Sequence, residues 1–222
     1  MILSRGRRYI FIHIPKTGGT SMALALEGRA MKDDVMLGDT PKARRRRRRV
    51  AEVSARGRLW KHSTLADIEG LASPEEIADF FVFTLVRNPW DRMVSYYLWL
   101  RRQRFAHPAV ALAKALSFSD FIRAPLIVRS IESTPYGSYL RESSGREKCN
   151  VFIRLEYFCE DSDPLWRHLG FRLTLPRVNA VDVDVKSQLV YRDEDRNFIA
   201  DLCAEDIERF GYGGFSGENW RS

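Results

Sequence analysis

Residues 9–26 join an apolar segment, a glycine turn and a second apolar segment, and this order strongly constrains the fold. Residues 9–14 are predicted to form a buried strand that ends at Pro15, and residues 21–26 are predicted to form a helix. A strand that leads through a glycine loop into a helix is typical of phosphate sites, because backbone N–H groups and the helix dipole face the anion. The side chains that would add donors are Lys16, Thr17, Thr20 and Ser21.

The order of residues in this loop distinguishes it from the common nucleotide-hydrolase loop. That loop, G-x-x-x-x-G-K-[ST], has its lysine after the glycines. Here Lys16 precedes Gly18 and Gly19. An ordinary ATPase or GTPase is therefore disfavoured, although a small-molecule phosphotransferase that uses ATP and magnesium stays open as an alternative.

A second apolar segment, residues 80–86, is short enough for a buried parallel strand and leads directly into Arg87. Asn88 is suited to an N-cap and Pro89 to the first helical position. Ser95 lies seven residues beyond Asn88 and returns to the same helix face. Arg87 would thus follow a strand end, where ligands bind in open α/β sheets.

Both segments resemble motifs of the sulfotransferases that use 3′-phosphoadenosine 5′-phosphosulfate (PAPS). The loop P-K-T-G-G-T-S, residues 15–21, resembles their 5′-phosphosulfate loop, in the form of the carbohydrate-modifying branch that includes heparan sulfate 2-O-sulfotransferase. The segment R-N-P-W-D-R-M-V-S-Y-Y, residues 87–97, resembles their 3′-phosphate element. Weaker matches extend the resemblance from about Tyr9 to Tyr212. The apolar pattern also predicts helices over residues 119–128 and 193–210, the second with Gly211 as its C-cap.

The resemblance implies an α/β fold, a single P-loop-kinase-like domain over residues 1–222 with a central, mostly parallel sheet flanked by helices. It implies transfer of a sulfuryl group from PAPS to a hydroxyl, with a saccharide as the expected acceptor and adenosine 3′,5′-bisphosphate as product. Residues 179–191 would form a loop that covers the cofactor, with Lys186 and Ser187 as possible contacts. The implied cofactor-binding residues are Pro15, Lys16, Thr17, Gly18, Gly19, Thr20, Ser21, Arg87 and Ser95.

The reaction needs a base for the acceptor proton and a cation for the leaving phosphate. His62 matches a G-H-[VST] element in which relatives carry their base, with Lys61 in place of the glycine. Histidine suits this role because its pKa lies near working pH. His13 is the second choice, and we assign Lys16 to the leaving group. No motif with metal-ligand spacing is present, so no metal is expected.

The net charge of +7 is concentrated in one segment, residues 41–60. Nine cations and one acid give this segment a charge of +8, which leaves −1 for the remainder. The six consecutive arginines Arg44–Arg49 cannot share one buried face, so they form either a solvated excursion or a cradle for an anionic acceptor. A non-catalytic binder of polyanions or nucleic acid is a third function class, but no aromatic residues interleave with the arginines.

Composition limits the remaining possibilities. A chain of 222 residues with 45% hydrophobic content is expected to form one domain. Its three cysteines are expected to be reduced and buried, and no apolar stretch approaches the roughly 20 residues that span a bilayer. With no secretory signal or anchor in the sequence, we expect a soluble, cytoplasmic and bacterial protein.

Overall fold

The structure is a computed structural model that describes residues 1–178 and 192–213. Its described residues form two compact units: Met1–Val86 with Tyr136–Val178, and Arg87–Pro135 with residues 192–213. A single domain over the whole chain therefore remains a prediction. The expected cofactor-covering loop at 179–191, with Lys186 and Ser187, lies outside the described residues.

The first unit is built on a five-stranded sheet with strand order β3-β1-β2-β4-β5. Its strands are β1 (Ile2–Ser4), β2 (Tyr9–Ile12), β3 (Val35–Met36), β4 (Phe81–Val86) and β5 (Val151–Arg154). β2 and β5 both run parallel to β4, whereas β1 runs antiparallel to β2 and β3. The predicted α/β class with a central sheet is confirmed, and the parallel strands bring the carboxyl ends of β2, β4 and β5 to one edge.

Helices of the first unit pack on one face of this sheet. Alternate residues of neighbouring strands, such as Phe11 and Phe83, share that face and contact each other, with ring centroids 5.2 Å apart. Met22 and Leu26 from the first helix and Leu165 from a late helix complete this core. The helices are α1 (Gly19–Gly28), α2 (Pro41–Arg46), α3 (Pro74–Asp79), α8 (Phe158–Asp161) and α9 (Asp163–Leu169), with 3-10 helices at Arg47–Val50, Tyr136–Leu140 and Leu155–Tyr157.

The second unit is helical around its own core. It contains α4 (Pro89–Arg101), α5 (Pro108–Ala115), α6 (Phe118–Arg123), α7 (Pro125–Glu132), α10 (Asp193–Leu202) and α11 (Ala204–Phe210). Met93 and Tyr97, one turn apart on α4, pack with Phe121 and Ile199 in this core. α4 is the longest of these helices, and the other helices pack against its apolar side chains.

Several predicted elements differ in their bounds. The helix expected over 119–128 is split, because Pro125 holds Ala124 in an extended conformation between α6 and α7. The helix expected over 193–210 is interrupted at Cys203, and Gly211 ends it in a left-handed conformation as predicted. All three cysteines are free, but Cys159 is exposed, so the expectation of burial is wrong there. None of the described helices has the length and apolar composition needed to cross a bilayer.

A buried carboxylate connects two helices of the second unit and allows a stability prediction. The Asp195 side chain is 1% exposed and accepts hydrogen bonds from Ser119, at 2.6 Å, and from Arg123. Burial alone would raise the pKa of Asp195, but these donors outweigh burial and hold that pKa below its usual range. We expect Asp195→Ala to lower the free energy of unfolding at pH 7 by about 1–3 kcal/mol, because its half-buried donors lose their acceptor. Urea denaturation measures this change.

Asp193→Ala is the matched control, since Asp193 pairs with Arg196 while remaining 90% exposed. Such a surface pair contributes at most about 1 kcal/mol. Because the pKa of Asp195 is lowered on folding, its contribution should be present above about pH 4 and lost as the pH falls further. Equal effects of the two substitutions would contradict the assignment.

Candidate active site

The phosphate-type loop lies between the end of β2 and the start of α1. It turns sharply, because Lys16 and Gly18 both have left-handed backbones, with φ of 71° and 86°. This conformation costs a lysine about 1–2 kcal/mol, whereas glycine adopts it freely. A strained residue that the surrounding structure maintains is a reason to suspect function at that position.

Close packing explains both glycines of the loop. A β-carbon at Gly19 would overlap the ring of His13, and one at Gly18 would approach Leu155 to 2.8 Å. The loop therefore leaves no room for side chains at these two positions, so both require glycine and the start of α1 packs directly on His13.

The first turn of α1 can receive an anion. Its N-cap residue is Gly18, which has no side chain to bond the first N–H groups, and the turn contains no acid. The positive dipole end of α1 therefore favours an anionic ligand. Lys16, Thr20 and Ser21 are partly exposed around it. Thr17 differs, because its buried hydroxyl donates to the carbonyl of Ile14 at 2.9 Å and so closes the turn.

His62, the predicted base, is joined to this loop through His13. Its Nδ1 lies 2.8 Å from the carbonyl oxygen of His13, and the two rings are in edge contact with centroids 4.6 Å apart. A carbonyl oxygen only accepts, so Nδ1 of His62 carries the proton and donates. In the neutral ring the lone pair is therefore on Nε2, which is the form that a general base requires.

The electrostatic surroundings keep His62 neutral. Burial, together with the positive charge of Lys61, lowers the pKa of His62 to about 4, against the opposing effect of the bond to the carbonyl of His13. Lys61 itself forms an ion pair with Asp39 at 2.8 Å, and the carboxylate of Asp39 acts on His62 in the opposite direction. Lys61, which replaces the glycine of the related motif, is thus a charged neighbour of the candidate base.

The loop that carries His62 is ordered by a buried serine. The hydroxyl of Ser63, which is fully buried, donates to the carbonyls of Arg58 and Trp60 and accepts from the N–H of Trp60. The Trp60 ring meets the His62 ring edge-on with centroids 5.0 Å apart. Sequence reasoning missed Trp60 and Asp39. A tryptophan two residues before a candidate base could have been noticed in the sequence. Asp39 could not, because it is 22 residues away from its partner Lys61.

The other histidines have structural partners. His13 is buried, and burial together with the surrounding positive charges lowers its pKa well below the usual value. Nδ1 of His107 accepts from the N–H of Ala109 and caps α5. His168 bonds to the carbonyl of Arg7. His62 therefore has the most suitable surroundings for a base among the four.

The second motif begins at the junction of β4 and α4. Arg87 directly follows β4, and Oδ1 of Asn88 accepts from the N–H of Trp90 at 3.1 Å, which confirms Asn88 as the N-cap. Pro89 is the first helical residue as predicted, and Ser95 is 7% exposed on α4. Within residues 1–178 and 192–213, no three or more histidine, cysteine, aspartate or glutamate side chains are grouped as metal ligands.

Comparison with known proteins assigns the chain to a family. Residues 1–162 match the model described as the sulfotransferase family, and these residues include both motifs. The match covers well over half of the 222 residues. The chain belongs to the sulfotransferase family and is a transferase.

A search among curated proteins finds no match. The fold is similar to that of mouse sulfotransferase SULT7A1, whose crystal structure is a complex with PAP, at a TM-score of 0.54 and 15% sequence identity. The similarity covers 95% of this chain and 87% of that chain. It confirms the expected sulfotransferase-type α/β fold. The closer resemblance to heparan sulfate 2-O-sulfotransferase stays a prediction.

The neutral state of His62 can be measured directly by NMR titration. We expect its ring to titrate with a midpoint near pH 4 instead of about 6.5, because burial disfavours the charged form. Lys61→Met should raise this midpoint by removing a positive charge, and Asp39→Asn should lower it by removing a negative one. His62→Gln identifies the resonance. A midpoint near 6.5 that neither substitution moves would contradict this account.

Proposed function

We propose that this protein transfers a sulfuryl group from PAPS to a hydroxyl of a saccharide, with release of adenosine 3′,5′-bisphosphate (PAP). Membership of the sulfotransferase family supports the transfer, and the PAP bound by the similar SULT7A1 supports the donor class. The observation that carries the proposal is a chain of contacts: His62 bonds to His13, and the His13 ring packs against Gly19. A candidate base and an uncapped helix start thus belong to one small assembly.

The loop residues fit the phosphosulfate end of the donor. Left-handed Gly18 and tightly packed Gly19 fix the sharp turn into α1, and the positive end of α1 favours negative charge. In our proposal Pro15 to Ser21 hold this end of the donor: Thr20 and Ser21 donate from their side chains, and Thr17 shapes the turn. PAPS supplies an activated sulfuryl group when bound.

His62 and Lys16 perform the chemistry in this proposal. Nε2 of His62 takes the proton of the acceptor hydroxyl as that oxygen forms its bond to sulfur. Lys16 stabilises the charge that the broken sulfur–oxygen bond leaves on the 5′-phosphate. A cation that meets charge developing in the transition state contributes more to rate than to ground-state binding.

We assign the 3′-phosphate to Arg87 and Ser95. A guanidinium binds two phosphate oxygens at once, and a hydroxyl adds a directional donor. These residues would distinguish a 3′,5′-bisphosphate from a nucleotide such as ADP, whose phosphates are all attached at the 5′ position. The distinction provides a test that does not depend on the acceptor.

Calorimetry of PAP beside ADP tests the donor class. We expect PAP to bind at least about tenfold more tightly than ADP in the absence of magnesium, because only PAP carries a 3′-phosphate. Arg87→Gln should weaken PAP and leave ADP nearly unchanged, whereas Lys16→Ala should weaken both ligands. Arg87→Lys is the matched control, since it keeps the charge and loses the guanidinium fork.

The alternatives give different results in the same experiment. Magnesium-dependent preference for ADP would overturn the proposal in favour of a phosphotransferase. Binding of neither nucleotide would overturn it in favour of a polyanion binder that acts through Arg44–Arg49.

The transfer of labelled sulfate from PAPS to a panel of neutral and anionic oligosaccharides tests the catalytic roles. We expect His62→Gln to lower the rate by about 10²–10⁴ with PAP affinity kept, because only proton transfer is lost. Lys16→Ala should lower the rate by about 10²–10³. His107→Gln, which alters a helix cap, is the control and should leave the rate unchanged. Near-normal transfer by either of the first two variants would remove that residue from its role.

A further inference from the structure

The side chain next to the candidate base is an exposed aromatic ring. Trp60 is 41% exposed, although its ring contacts His62. The guanidinium of Arg58 lies over the same ring, 5.1 Å from its centroid. An exposed indole beside a proposed catalytic residue offers a flat apolar surface, and the neighbouring guanidinium adds positive charge to it.

The turn that carries this surface is held by hydrogen bonds and close packing of its backbone. Ser63 ties the carbonyls of Arg58 and Trp60 together, and the N–H of Gly57 donates to the carbonyl of Asp67 at 3.0 Å. A β-carbon at Gly57 would overlap the Asp67 side chain, so the turn is closely packed there. Because the turn is already ordered in the free protein, a ligand that binds it loses little binding free energy to ordering the chain.

The arginine run divides into two functional groups. Arg46 and Arg49 donate to the backbone carbonyls of Asp34 and Lys32, which fixes the segment to the first unit. The remaining members, Arg44, Arg45, Arg47 and Arg48, are exposed. The run is therefore an ordered helical segment with a solvent-facing positive face, in contrast to a loosely solvated excursion.

This positive face is electrostatically connected to the base through Asp39. The bond from Lys61 is the main cause that lowers the pKa of Asp39, and the charges of Arg44 and Arg47 lower it further. Lys61 is adjacent to His62 in the chain and pairs with Asp39. Asp39 directly precedes Thr40, the N-cap of α2, so the ion pair joins the helix that carries Arg44 to the loop that carries Trp60 and His62.

We propose that the side chains of Arg44, Arg45, Arg47, Arg48, Arg58 and Trp60 form the docking surface for the acceptor, and that this acceptor is an anionic saccharide. The indole of Trp60 packs against the C–H face of a sugar ring, beside the base that its hydroxyl must reach. The arginines bind carboxylate or sulfate groups on neighbouring sugars, with bidentate geometry where it is available. The acceptor role of this surface rests on the proposed sulfuryl transfer.

Charge and shape together favour a saccharide over a nucleic acid. Single-stranded nucleic acid is typically bound by several aromatic side chains on which successive bases stack. Within residues 41–60 there is one aromatic residue, Trp60, and it is two residues from the candidate catalytic base His62. A single platform with a positive margin suits one sugar ring at the reaction centre and anionic groups beyond it.

Binding of matched oligosaccharides, measured by calorimetry without nucleotide, tests the surface. The probes are dextran oligosaccharides, the same oligosaccharides after carboxymethylation, and a polyphosphate of equal charge that lacks sugar rings. We expect the carboxymethylated dextran to bind most tightly, with affinity that falls as salt rises. Trp60→Ala should weaken it by about tenfold and Trp60→Phe by less, while polyphosphate binding should not respond to either change.

The charged part is tested by a four-residue change. Replacing Arg44, Arg45, Arg47 and Arg48 by glutamine should weaken the anionic dextran at least about tenfold and reduce its salt dependence. The control replaces the equally exposed Arg101, Arg102, Arg104 and Arg129 of the second unit, which removes the same charge and should change binding little. Unchanged PAP binding in each variant shows that the protein remains folded.

Two results would overturn the docking surface. Equal binding of neutral and carboxymethylated dextran would exclude an anionic acceptor. Anionic dextran that binds no more tightly than polyphosphate and does not respond to Trp60→Ala would indicate a general polyanion surface. Because these measurements omit the donor, they fail independently of the PAP experiment, which alone tests the sulfuryl-transfer proposal.

Discussion

The packing of the His13 ring against Gly19 is the contact on which the candidate site depends. It holds the end of β2 against the start of α1, so the loop between them must turn within a few residues, through left-handed Lys16 and Gly18. The same histidine also offers its carbonyl oxygen to Nδ1 of His62. One residue that performs no chemistry thereby fixes the phosphate loop and the tautomer of the base.

The balance of charge around His62 has a chemical consequence. Burial and Lys61 keep the ring neutral, which suits a base that must accept a proton but gives it a low affinity for that proton. Nearby negative charge raises the pKa of a histidine. An anionic donor held at the start of α1 would therefore strengthen the base when transfer is to occur, and the ring would return to its weakly basic state after release.

The sequence predicted the two motifs and their strand–loop–helix context, because glycine, proline and cap residues act locally. Asn88 and Pro89 begin α4 as expected, and Gly211 ends α11. The contacts between distant residues could not be predicted. Nothing in the sequence near His62 indicates that its partner is the carbonyl of His13, since that partner is set by how the loop packs on the sheet. Thr17 shows the same limit, because its hydroxyl bonds to Ile14 and only the folded turn reveals this.

The Lys61–Asp39 pair reconciles two demands that oppose each other. A positive surface beside the active site attracts an anionic acceptor, but uncompensated positive charge would depress the pKa of His62 further. Asp39 lies between these groups: it pairs with Lys61, interacts with Arg44 and Arg47, and raises the pKa of His62. In the proposed docking surface, one carboxylate would therefore let the exposed arginines keep their attraction for the acceptor while it limits their effect on the candidate base. A glycine at position 61, as in the related motif, would remove the cation that Asp39 pairs with and leave more of its negative charge to act on His62.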